Sequence, residues 1–204
     1  MRSVTKRLMT AGLSIAVVGL VYRTGISEDK KEAPGMDPAM MEAMMKAATP
    51  GEHHALLAKM AGHYKAECTM RMGPDAPEIT SKGEEHSEMV FDGRYLKSDF
   101  TGDMMGKPFH GMALVGYDNT KQKYVSIWVD DMSTSPMVSE GTADKTGKVV
   151  TYQGEMECPG MEGKMSYRNV ITIVDHDHYT MEMFQKAPDG KEFTGMTIKY
   201  ERVK

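Results

Sequence analysis

From residue 62 to the C-terminus, apolar and polar side chains alternate with a period of two, and clusters of turn-forming residues interrupt the alternation at short intervals. The pattern predicts ten strands, at about 63–72, 78–91, 94–101, 108–116, 123–131, 137–143, 148–157, 164–174, 178–186 and 192–203. Asp92-Gly93, Asp118-Asn119, Lys145-Thr146-Gly147, Pro159-Gly160 and Pro188-Asp189-Gly190 supply residues suited to tight or left-handed turns. The hairpin around Trp128 is the centre of the series: strands Phe109 to Gly116 and Tyr124 to Asp131, joined at Tyr117–Thr120. Before residue 62 the period changes to three and four. Asp37 caps a predicted helix through Met40, Met41, Met44 and Met45 to Ala48. A second starts at Pro50, carries Leu56, Leu57 and Met60, and stops at Gly62. One face of each is expected to pack on the β-domain.

Short links make sequence neighbours spatial neighbours, and ten strands in an open sheet would leave two long edges. Closure removes them. The expected fold is therefore all-β, a single up-and-down antiparallel β-barrel of about ten strands preceded by one or two short helices, wide enough to enclose a cavity.

At 204 residues the chain holds one such domain, at 62–204, preceded by a helical Met-rich segment at 36–61 and a flexible linker at 27–35. Residues 1–26 carry Arg2, Lys6 and Arg7 ahead of the apolar run Leu8–Tyr22, the pattern of an export signal. Cleavage places the protein in the periplasm or outside the cell; retention would leave it anchored in the inner membrane. Without these residues 21 basic side chains face 29 acidic ones, a net charge of −8, which argues against nucleic acid or an anionic membrane as a partner. The only membrane contact expected is through an uncleaved N-terminal segment. Cys68 and Cys158 leave both a disulfide and two separate thiols open.

Gly116-Tyr117-Asp118, Trp128-x-Asp130, Glu140-Gly141-Thr142, Arg168-Asn169-Val170, Asp189-Gly190-Lys191-Glu192 and Tyr200-Glu201-Arg202 follow one another in an order that resembles the bacterial domain of unknown function 1579 family, over about residues 52–204. The resemblance implies a lipocalin-like, calycin-type barrel and no established activity. Such barrels commonly open on Gly-x-Trp, with a basic residue of the last strand lying across the ring. Here Gly62-His63-Tyr64 and Arg202 take those positions, with Tyr64 in place of Trp and structural closure as the expected role.

Trp128 and Asp130 share a strand face with Tyr124 and Ser126, and Val125, Ile127 and Val129 share the other. If the Trp face points inward, the Asp130 carboxylate needs a partner, for which Arg168 is the best candidate. If it points outward, Asp130 begins a turn. Tyr124, Trp128, Asp130 and Arg168 are the candidate ligand-binding residues. Glu84, Glu85 and Glu88 read as ordinary exposed strand acids. No serine elbow, zinc-protease helix, phosphate loop or Cys-x-x-Cys is present, so no catalytic residue, metal ligand or cofactor is assigned. His53-His54 and His176-x-His178 have donor types suited to a transition metal, and His86 or His110 leaves a haem reading open. The 22 methionines are the outlier of the composition, suited either to Cu(I) or to filling an irregular core. The resulting expectation is an exported, non-enzymatic barrel holding a small apolar or amphipathic ligand. The alternatives are Cu(I) or other metal handling through Met and His side chains, and a structural or interaction barrel without ligand.

Overall fold

The computed structural model describes residues 37–157, 163–187 and 189–204. The expected signal or anchor at 1–26 and the linker at 27–35 lie outside them. Two helices, α1 (Pro38–Ala48) and α2 (Glu52–Ala58), precede ten strands: β1 (Gly62–Met70), β2 (Ile79–Val90), β3 (Tyr95–Met104), β4 (Lys107–Asp118), β5 (Lys123–Asp130), β6 (Met137–Ala143), β7 (Val149–Glu157), β8 (Lys164–Ile173), β9 (His178–Lys186) and β10 (Glu192–Arg202). Each strand pairs antiparallel with its sequence neighbours, and β1 pairs with β10 from Tyr64↔Arg202 to Met70↔Met196, so the barrel is closed with up-and-down order, as the alternation predicts.

Alternation sets which side chains face in. Along β1, Tyr64, Ala66 and Cys68 are buried while His63, Lys65 and Glu67 face water. The β4–β5 hairpin runs two residues further than expected. Tyr117 and Asp118 stay in β4 because the Tyr117 ring packs on Tyr124, 4.9 Å between centroids, and the turn falls at residues 119–122.

α2 closes one end. Leu57, 2% exposed, packs with Leu96, Tyr124, Val150 and Tyr152, and half-buried Leu56 and Met60 extend the cluster. Arg202 secures the same end. Its guanidinium lies 4.6 Å from the centre of the Tyr64 ring and donates to Ala61 O (2.7 Å), Lys59 O (3.0 Å), His176 O (3.1 Å) and the Tyr64 hydroxyl. Gly62, at φ 151°, is required there, since a Cβ would run into the guanidinium.

α1 departs from expectation. Asp37 caps it by accepting from Ala39 N at 2.9 Å, yet none of its residues is buried, and Met40, Met41, Met44 and Met45 are all exposed. Its polar ties to the barrel are at its C-terminal end, where Asn119 Nδ2 donates to Ala47 O and Thr49 O, and Arg94 Nε donates to Ala48 O. α2, not α1, carries the apolar side chains that fill the barrel end. Among the described residues no helix is long and apolar enough to cross a membrane.

Candidate binding cavity

The barrel encloses a cavity of about 340 Å³ whose wall is mainly apolar. Methionine contributes much of that wall, from Met60 at α2 to Met104, Met132 and Met137 at the opposite end. Unbranched thioether side chains adapt their shape to what they touch.

Trp128 and Asp130 face the cavity, and Val125, Ile127 and Val129 face out. The Trp128 indole stacks near Phe109, with 6.3 Å between ring centroids and 21° between planes. It lies flat over Gly111, where any Cβ would collide with the ring. Trp128 Nε1 donates to Asp130 Oδ2 at 2.8 Å, and Met132 N donates to Asp130 Oδ1 at 3.0 Å. The carboxylate is thus satisfied by its own strand and the turn that follows.

Arg168 is not brought to Asp130. Tyr167, Asn169 and Ile171 of β8 line the cavity, so period two turns Arg168 outward. There it forms a fork with Glu192, Nη2 to Oε2 at 2.5 Å and Nε to Oε1 at 3.2 Å, and lies 3.9 Å from the centre of the Phe184 ring. Tyr124 is fully buried but belongs to the α2-closed end and not to the cavity wall. Its hydroxyl is 3.0 Å from His53 Nδ1, and burial pushes its pKa up to about 12.

Glu85 and Asn169 are two of the inward polar groups that escaped the sequence reading. Glu85, read as an exposed strand acid, is 7% exposed and lines the cavity. Tyr179 Oη donates to Glu85 Oε1 at 2.5 Å, and Ser87 Oγ donates to the same oxygen at 2.7 Å, while Ser87 and Ser98 hydroxyls are themselves 2.7 Å apart. Burial raises the carboxyl's pKa above its usual value, the hydroxyl donors opposing that shift. Tyr179 and Tyr200, stacked 4.2 Å apart beside it, are held far from ionisation by burial and by the carboxyl. The available signal was register. Glu85 alternates with Ser87 and Met89, the small and apolar face of an otherwise acidic strand.

The second is Asn169, on the inner face of β8. Its Oδ1 is buried without a hydrogen-bond partner. Such an orphan acceptor costs about 1–3 kcal/mol unless something answers it.

The histidines go elsewhere. His53 stacks on Tyr117 at 3.9 Å, and His54 Nδ1 accepts from Gly51 N at 3.0 Å, so both serve α2. His176 and His178 are exposed and bonded to Asp177 and Asp175, and His86 and His110 sit on the outer wall, which removes the haem reading. No cluster of three His, Cys, Asp or Glu residues suited to a metal occurs among the described residues. Cys68 is buried in the cavity wall, whereas Cys158 lies outside the described residues.

A closed ten-strand barrel around a mainly apolar chamber defines the class of protein. The chain belongs to the family described as Protein of unknown function (DUF1579), which it matches over residues 49–202. Among solved structures it is similar to a redesigned β-barrel, with 17% identity over 74% of this chain and 96% of that one and a TM-score of 0.36. No curated protein matches it.

Proposed function

We propose that the barrel is an exported, non-enzymatic binding protein of lipocalin-like character that holds a small, mainly apolar molecule with one polar end. The cavity carries this reading: about 340 Å³, with a mainly apolar wall of methionine, aromatic and aliphatic side chains, and Glu85, Asn169, Asp130 and a few serines as its polar points. Chambers of this size with few inward polar groups are the usual form of small-molecule sites. A barrel filled by its own side chains would have argued for a purely structural role. Binding is favoured over turnover because the acids lining the cavity are already tied to protein donors, Asp130 to the indole, Glu85 to Tyr179 and Ser87, and Asp103 to Gly106 N.

Trp128 is the only tryptophan and faces the cavity, so its fluorescence is an intrinsic reporter of occupancy. Titration with medium-chain fatty alcohols and small aromatic amines should shift or quench that emission saturably, at one molecule per chain. Native mass spectrometry of protein from its own host should show a retained adduct and the processed N-terminus. A chain with no adduct and flat emission against both probe classes would end the carrier reading and leave a structural barrel.

A further inference from the structure

One row of the inner wall is built differently from the rest. Following the register across β7, β8, β9, β10 and β1, Tyr152 faces Asn169, Asn169 faces Met183, Met183 faces Met196, and Met196 faces Met70. All five line the cavity. Three thioethers therefore stand side by side on adjacent strands, with the orphaned Asn169 Oδ1 next in line. Directly opposed residues on one face of an antiparallel pair have Cβ atoms about 4.5–5.5 Å apart.

A β-bulge creates this row. Thr194 pairs with Phe184, but Met196 pairs with Met183, so Gly195 is an extra residue in β10. Without it, Met196 would fall opposite Glu182 on the outer face. The bulge reverses the parity of β10 and turns Met196, Ile198 and Tyr200 inward. Gly195 is also covered: a Cβ there would come 2.7 Å from Gln185 Oε1, and Gln185 Nε2 donates to Met183 Sδ at 3.5 Å. The amide holds that sulfur in place and leaves its second lone pair free.

All three line the chamber, Met183 as a buried core residue and Met196 packed against the cluster that includes Tyr179 and Ile198, so each thioether has one side against protein and one against the cavity. An organic N–H or O–H would answer Asn169 alone. A soft monovalent cation answers the three sulfurs, because thioethers select Cu(I) among biological metals, and the hard amide oxygen beside them is left to an N–H or O–H donor. We infer that Met70, Met183 and Met196, with Asn169 Oδ1 beside them, form a binding site for one Cu(I) ion in the inner wall of the barrel. The site shares its chamber, and Asn169, with the proposed organic ligand, whose aromatic contacts, Phe100, Phe109 and Trp128, lie on β3–β5.

The test is anaerobic titration of the full chain with Cu(I) against a chromophoric chelator. The wild type should withdraw one equivalent, and absorption at the copper edge should show a sulfur-dominated coordination shell. The triple variant Met70→Leu, Met183→Leu, Met196→Leu keeps volume and apolarity, and should lose at least about 100-fold in affinity, since it removes all three soft ligands. The quadruple variant Met40→Leu, Met41→Leu, Met44→Leu, Met45→Leu in α1 should bind as the wild type does. Methyl resonances of labelled methionine in the wild type, followed during addition of Ag(I), identify the ligands without any substitution and should move for Met70, Met183 and Met196. No uptake by the wild type, full uptake by the triple variant, loss in the α1 variant, or Ag(I) shifts confined to other methionines would each overturn the site. Trp128 titration with apolar probes on the same samples separates the two readings: flat emission there ends the carrier reading and leaves the copper stoichiometry to stand on its own.

Discussion

At the end closed by α2, Leu57, Tyr124 and Tyr152 interlock around fixed rings, and Arg202 ties the first and last strands to the chain entering β1. At the other end, Met104, Met132 and Met137 line the cavity around Phe109 and Trp128, and Met132 is 61% exposed. The difference is one of side-chain entropy and adaptability. Rigid aromatic side chains with hydrogen-bonded hydroxyls specify one arrangement, whereas methionines keep several rotamers and reshape around a guest. The closed end thus supplies stability and the methionine end supplies accommodation.

The contrast is broken most directly at Leu57. Leu57→Ala truncates the most deeply buried side chain of α2, and should cost about 2–5 kcal/mol, the range for truncating a buried leucine. Urea unfolding of the two proteins measures it. A loss under about 1 kcal/mol, below that range, would mean that α2 is a loose cover and that the two ends are alike.

Arg202 comes next. Arg202→Ala should cost about 2 kcal/mol, since it removes charge-assisted bonds to Lys59 O and Ala61 O together with the contact over Tyr64. Arg202→Lys should recover less than half of that, because an ammonium cannot span both carbonyls while lying flat on the ring. Equal stability of the Lys variant and the wild type would reduce the closure to a point charge.

Alternation and turn chemistry made the barrel legible in the sequence, because a strand with one face in the core and one in water leaves a period of two. The interior site was legible only where one face of a strand was distinctive. Trp128 and Asp130 were recognisable as a pair, but the direction of their face was not, since Val125, Ile127 and Val129 would have suited a core as well. Arg168 was assigned to Asp130 on charge alone, although Tyr167, Asn169 and Ile171 on either side of it mark the inward face of β8. Glu85 was hidden by Glu84 and Glu88, which gave β2 acids on both faces. α1 was misjudged because an apolar stripe says that a face can be buried, not that it is. The row of Met70, Met196 and Met183 was out of reach, because it depends on the bulge at Gly195, and a single extra residue inverts every inward assignment after it.

A smaller effect separates the interior from the closed end by pH. Burial raises the Glu85 carboxyl's pKa above the usual 4.5, so the stability drawn from its neutral form is fully present below about pH 4.5 and is lost as pH rises through the raised value. Burial lowers the His54 pKa below 6.5, so its contribution is present above about pH 6.5 and is lost as pH falls through the lowered value. Glu85→Gln keeps an oxygen for Tyr179 and Ser87 and should flatten the alkaline side of the stability curve. His54→Gln should flatten the acid side. Urea midpoints from pH 5 to 9 test both, and curves parallel to the wild type would remove either group from the account.

The smallest expected change in stability is at the methionine end. Met132→Leu and Met137→Leu together should alter unfolding free energy by no more than about 0.5 kcal/mol each, because Met132 is exposed, Met137 is half-buried, and the swap preserves volume. Their effect should fall on binding instead. γ-Branched leucine has fewer rotamers than methionine, so the chamber should lose affinity for its bulkiest guests while slim ones bind as before. A series of alcohols of increasing cross-section, read through Trp128, makes the comparison. Uniform weakening across the series would mean that the thioethers contribute contact area alone. A stability loss above about 1 kcal/mol would mean that these side chains are core, and that the mouth is as tightly specified as the end held by α2.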